Sequence, residues 1–124
     1  MSDKEFLSAL YKNYGILPPG KYDQDWEFTA GDSAHTEDYI DFYDENVLTM
    51  HQKLSIVHMI IQGFDDLIIE GLNADSLCRI WERIKVILLN DRQFYNQVIT
   101  YWACLDTDLE EDRFYVSAYM RELI

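Results

Sequence analysis

His35 shares a polar stretch with Asp32, Glu37 and Asp38, and a carboxylate beside an imidazole favours the imidazolium and suits the ring to general-base work. The sequence supplies neither a nucleophile nor a second defined site to complete that chemistry. His51 and His58 are seven residues apart, hence close to one face of a helix, but no acid stands three residues before either, as di-metal helical motifs require. They are read as structural or surface residues. Cys78 and Cys104 have no CxxC spacing and are expected to be free, buried thiols, Cys104 inert beside Trp102 and Leu105. The run from Asp106 to Asp112 is rich in carboxylates but lacks the central glycine and terminal ligand spacing of a calcium loop. Acids there complement the positive end of a helix dipole. The expectation is a protein with no catalytic residue, no metal site and no cofactor, and therefore not an enzyme.

The carboxylates matter more as a field than as ligands. Across 124 residues, 23 Asp and Glu against 10 Lys and Arg give a net charge of −13, in a chain that is 48% hydrophobic and 15% aromatic. That much apolar content lies outside the composition of disorder, and the length suits one domain, expected over residues 1–124. The charge is uneven: 11 acids and 3 bases in residues 1–50, 6 and 5 in residues 51–104, 6 and 2 in residues 105–124. A nearly neutral middle should form the core. An anionic surface is repelled by phosphates and anionic headgroups, so neither direct nucleic-acid binding nor membrane binding is expected. The opening Met1-Ser2-Asp3-Lys4-Glu5 lacks the basic and apolar regions of a secretory signal, which points to the cytoplasm. Nothing in the sequence indicates an oligomeric state.

The elements that position these residues read as helices. Ser2 and Glu5 have capping-box spacing, and Phe6, Leu7, Leu10, Tyr11 and Tyr14 recur at helical intervals before Gly15, predicting a helix over residues 3–14. Pro18-Pro19-Gly20 and the mixed residues up to Ser33 predict a long loop near residues 15–35, with Trp26 and Phe28 in a short extended segment. Ile40, Tyr43, Val47, Met50, Leu54, Val57, Ile61 and Phe64 then follow alternating threes and fours, the seam of one long helix. Residues 64–70 suit a helical turn or a short strand, and helix is preferred. Asn73 or Asp75 caps a helix carrying Leu77, Ile80, Trp81, Ile84, Ile87 and Leu88, ended by Asn90. Asp91 caps the next, with Phe94, Tyr95, Val98, Tyr101, Trp102 and Leu105 on a broad face. Thr107 and Glu110 repeat the capping-box spacing before a terminal stripe of Val116, Met120 and Leu123. The prediction is an all-α bundle of five or six helices.

Helix capping accounts for the C-terminal acids but not for Asp23, Asp25, Glu27 and Asp32 in the loop, or Glu37, Asp38, Asp41, Asp44 and Glu45 on one helix. Like charges so placed repel one another and cost stability, and the benefit that offsets this is either solubility alone or recognition of a basic partner. Tyr22, Trp26 and Tyr39 stand among them, and interfaces favour such aromatics as anchors while carboxylates steer encounter. These twelve residues from Tyr22 to Glu45 form the expected partner-binding surface. Phe42 and Tyr43 are expected to pack inward.

A small chain with no catalytic motif and an acidic aromatic surface resembles the immunity proteins that bacteria make against their own nuclease toxins, including those of contact-dependent growth inhibition. The resemblance is one of class and covers properties of the whole chain. It implies an acidic surface that replaces substrate phosphates at the basic cleft of a cognate toxin. Two alternatives are an acidic nucleic-acid mimic that inhibits or adapts another enzyme, and a helical metal or carboxylate enzyme using His51 and His58.

Overall fold

Ser2 opens the first helix through the reciprocal bonds its spacing predicts: Ser2 Oγ accepts the Glu5 N–H at 3.1 Å, and Glu5 Oε1 accepts the Ser2 N–H at 3.2 Å. Helix α1, Asp3–Tyr14, ends where Gly15 takes the left-handed conformation at φ +70°. This computed structural model describes residues 1–16, 32–106 and 113–124. The long loop predicted before Ser33, the extended segment at Trp26 and Phe28, and the cap at Thr107 lie outside them. The described residues form six α-helices and no strand, so the protein is all-α as expected. After α1 come a 3-10 turn, Ser33–His35, then α2, Thr36–Glu45; α3, Met50–Ile69; α4, Ala74–Asn90; α5, Arg92–Ala103; and α6, Ser117–Arg121. By its contacts the chain gathers into two compact units, Met1–Gly63 and Phe64–Ile124, and the boundary falls inside the continuous helix α3.

The single long helix expected from Ile40 to Phe64 is two helices. Asn46 turns extended after α2, its Nδ2 donating to the Phe42 carbonyl at 2.9 Å, and Thr49 starts α3. Thr49 Oγ1 accepts the Gln52 N–H at 3.2 Å, and Gln52 Oε1 accepts the Thr49 N–H at 3.0 Å. That is a second capping box, and it halts the helix against an unbroken apolar period. Val47 and Met50, counted in the seam, are exposed, while Leu48 is buried. Gln52 is itself fully buried: its Nε2 donates to the Met1 carbonyl and the Asp3 carboxylate, each at 2.8 Å. A local cap thus also joins the start of α1 to the start of α3.

In the first unit, α1 and α2 run antiparallel, Phe6 facing Phe42 with ring centroids 6.0 Å apart and Tyr14 meeting Tyr39 edge-on at 5.1 Å. The entry to α2 also lies against α3 at Gly63. A Cβ built there would stand 2.5 Å from Thr36 Oγ1 and 3.2 Å from the Asp32 carbonyl. Thr36 is buried and its hydroxyl donates to the Ser33 carbonyl at 2.9 Å, so it has little room to yield. A mid-helix Gly→Ala change ordinarily stabilises by about 1 kcal/mol. Gly63→Ala is expected to destabilise by ~1–3 kcal/mol instead, read as a lower urea midpoint at unchanged slope.

In the second unit all six apolar residues predicted for α4 are buried. Asn73 is the cap that forms, its Oδ1 accepting the Ser76 N–H at 2.9 Å. Residues 64–69 continue α3, resolving the choice between helix and strand. Asp91 occupies the N-cap position of α5, but its side chain makes no capping bond there. On α5, Tyr95, Val98 and Trp102 are buried as expected, whereas Tyr101 and the following Leu105 are exposed. Val116, Met120 and Leu123 are all buried. Both thiols are free, but the expectation of burial fails: Cys78 is exposed and Cys104 is half-buried, ending α5 at φ +50°.

Candidate functional site

Amphipathic α2 must bury Tyr39, Ile40 and Phe42, and this places Asp38, Asp41 and Glu45 together on the side of the helix next to α1. Between α1 and α2 lies a groove of about 470 Å3, lined by Ala9, Asn13 and Tyr14 from α1 and by Asp38, Asp41, Phe42, Glu45 and Asn46. Tyr14 is the pivot. Its ring is half-buried, edge-on to Tyr39 and to Phe42, and its hydroxyl donates to the Asp38 carbonyl at 3.3 Å. Burial raises the Tyr14 phenol above its ordinary pKa, and the negative charges of Asp38, Asp41 and Glu45 push it further the same way. The three carboxylates therefore act on one point of the groove.

His35 stands at the mouth of α2. Its Nδ1 lies 3.1 Å from Asp38 Oδ2, and its ring is 5.4 Å from that of Tyr14. Of the three carboxylates near His35 in the sequence, Asp38 is the one that pairs with it. Asp32 instead caps the 3-10 turn, its Oδ1 accepting the Ala34 N–H at 3.0 Å. The Asp32 N–H donates to Tyr39 Oη at 3.2 Å, and burial pushes the Tyr39 phenol up to about 12.

Of the twelve residues expected to meet a partner, Tyr22, Asp23, Asp25, Trp26 and Glu27 lie outside the described residues. Asp38, Asp41 and Glu45 are brought together in the groove, while Asp32, Glu37 and Asp44 are not among its lining. Tyr39 is 0% exposed, so it offers a partner no surface and serves as the floor on which Tyr14 rests. Phe42 is buried and Tyr43 half-buried, the inward packing that was expected. Sequence reasoning assigned Tyr14 to the apolar face of α1 and passed over Asn13 and Asn46. No local signal marks them, because the groove exists only where two helices distant in sequence meet.

The histidines of α3 are differently placed. His51 is exposed, whereas burial lowers His58 to about 4. Among the described residues no group of three or more His, Cys, Asp or Glu is arranged to hold a metal ion. Among the same residues no helix is long and apolar enough to cross a membrane.

The fold and groove together define an all-α protein with an acidic, aromatic-lined concavity in its first unit. Compared with family models, curated proteins and solved structures, the chain matches none of them.

Proposed function

We propose that this protein is a cytoplasmic binding protein that neutralises a cognate basic toxin, a nuclease, in the manner of the bacterial immunity proteins it resembles as a class. It acts by occupancy, not catalysis, laying carboxylates where the toxin's cleft receives substrate phosphates. The single observation that supports this reading is the groove, in which Asp38, Asp41 and Glu45 converge beside the half-buried ring of Tyr14. Carboxylates steer a cationic partner to encounter, and a preset aromatic gives the complex persistence.

The test is recovery of a basic protein from the source cell that co-purifies at low salt, is released at high salt, and loses nuclease activity when this protein is added back. Charge reversal of Asp38, Asp41 and Glu45 to lysine together is expected to slow association by tenfold or more and to flatten its salt dependence. Reversal of Asp75, Glu82 and Asp91, the same change in net charge on the second unit, should leave the rate within about twofold. Equal losses from both triple variants would reduce the acidity to a general field and remove the groove from the account.

A further inference from the structure

We infer that the groove between α1 and α2 receives a single arginine side chain of the partner, an assignment that rests on the partner-binding reading above. At about 470 Å3 the cavity lies within the roughly 300–1,000 Å3 range of clefts that enclose small ligands, and it is far more than a bare ammonium needs. Its lining combines three things that a guanidinium uses at once. Asp38, Asp41 and Glu45 offer several acceptor oxygens at successive positions along one side of α2, matching a planar fork of five donors. The half-buried ring of Tyr14, backed by buried Phe42, gives aromatic surface on which a weakly hydrated, delocalised cation stacks with little desolvation cost. Asn46 adds a neutral acceptor, because its Nδ2 is committed to the Phe42 carbonyl and its Oδ1 remains to take an N–H.

Lysine satisfies only the first of these. Its ammonium is a compact, strongly hydrated point charge that gains from the carboxylates but neither forks nor stacks. The groove is also set before the guest arrives. Tyr14 is held edge-on by Tyr39, which is 0% exposed, and its hydroxyl is bonded to the Asp38 backbone, so no ring has to be ordered on binding. The raised pKa of Tyr14 agrees with this geometry, since all three carboxylates contribute to it.

The experiment titrates the full isotopically labelled chain with N-acetyl-arginine methylamide and, separately, with N-acetyl-lysine methylamide at low salt, following the Tyr14 ring and the Asn46 side-chain amide by NMR. The expected result is saturable shifts at both with the arginine compound, at an affinity at least fivefold above that of the lysine compound. Tyr14→Leu should bring arginine down to the lysine level, whereas Tyr14→Phe, which keeps the ring and the fold, should retain the preference. Asp38→Asn, Asp41→Asn and Glu45→Gln together should abolish binding of both. Equal affinity for the two amides overturns the arginine assignment and leaves the acidic face as the partner's site. No shift at Tyr14 or Asn46 with either amide overturns it too. The pull-down with the two charge-reversal variants judges the partner-binding reading separately.

Discussion

Replacing Arg121 by alanine is expected to cost ~2–4 kcal/mol of stability, because one guanidinium closes the C-terminal end of α5. The last carbonyls of a helix have no partner within it. Here they are met from α6: Ser117 Oγ donates to the Trp102 carbonyl at 2.7 Å, Arg121 Nε donates to the Ala103 carbonyl at 2.7 Å, and Arg121 Nη2 donates to the Cys104 carbonyl. Ser117 and Arg121 are four residues apart, one turn of α6, and so present one face to these three successive acceptors. Asp65 holds the other end of the segment, accepting the Val116 N–H at 2.8 Å from a buried position. Arg121→Ala leaves two carbonyls without donors and also frees the left-handed turn at Cys104. Arg121→Lys, with one flexible donor group in place of the fork, should recover less than half of the loss. Chemical denaturation of the three proteins measures this. An Arg121→Ala midpoint equal to that of the parent would show that water satisfies these carbonyls as well as the guanidinium does.

Acid should destabilise the protein well before its carboxylates titrate, and His58 is the reason. Burial lowers its pKa from 6.5 to about 4, since the imidazolium is poorly solvated where the ring lies in α3. The folded state therefore holds His58 neutral over an interval in which the unfolded chain binds a proton. The unfolded state binds more protons there, so stability is fully present above the unfolded value of 6.5 and falls as pH drops from 6.5 towards 4. The loss over that window is on the order of 2–3 kcal/mol. Asp65 acts in the opposite sense: burial raises its pKa, although the backbone N–H groups of Val116 and Tyr115 pull it down, so its folded form gains a proton first on acidification. Its contribution therefore falls as pH rises from the ordinary carboxylate value to the raised one, and it offsets part of the acid loss only in that lower range. His58→Gln, neutral at every pH, should flatten the stability profile between pH 7 and pH 4.5. An unchanged profile would assign the acid sensitivity to other groups.

The helices of the second unit were legible because their stabilising pattern is local. In α4 the positions of Leu77, Ile80, Trp81, Ile84, Ile87 and Leu88 are fixed by a period of 3.6 residues, and all of them are buried. The same reasoning misled at Asn46 to Thr49, where the apolar period from Ile40 to Phe64 is unbroken in the sequence but the backbone is not. Thr49 and Gln52 carried the correcting signal as a capping box, yet a cap competes with the helix continuing through it. Its advantage here comes from Gln52, which also bonds Met1 and Asp3, 51 and 49 residues away. Asp91 erred in the other direction, a capping residue in the capping position whose side chain makes no such bond.

The candidate site divides along the same line. Asp38, Asp41 and Glu45 were marked by charge and spacing, and the structure places them in one groove. Tyr39 is an aromatic of the kind interfaces favour, but the turn of α2 on which it sits directs it inward, and half-buried Tyr14 from another helix lies against it in the groove.

The sequence by itself determined the all-α class, both ends of α1 and α4 and the start of α5, the burial of the α4 stripe and the acidic character of α2, since each depends on interactions within a few residues or on composition alone. Only the tertiary structure decided where the long seam breaks, that Ser117 and Arg121 close α5, that Gly63 admits the entry of α2, and that three carboxylates share a groove with Tyr14. Each of those depends on groups far apart in the chain, and no local period or spacing encodes which helix will lie beside which.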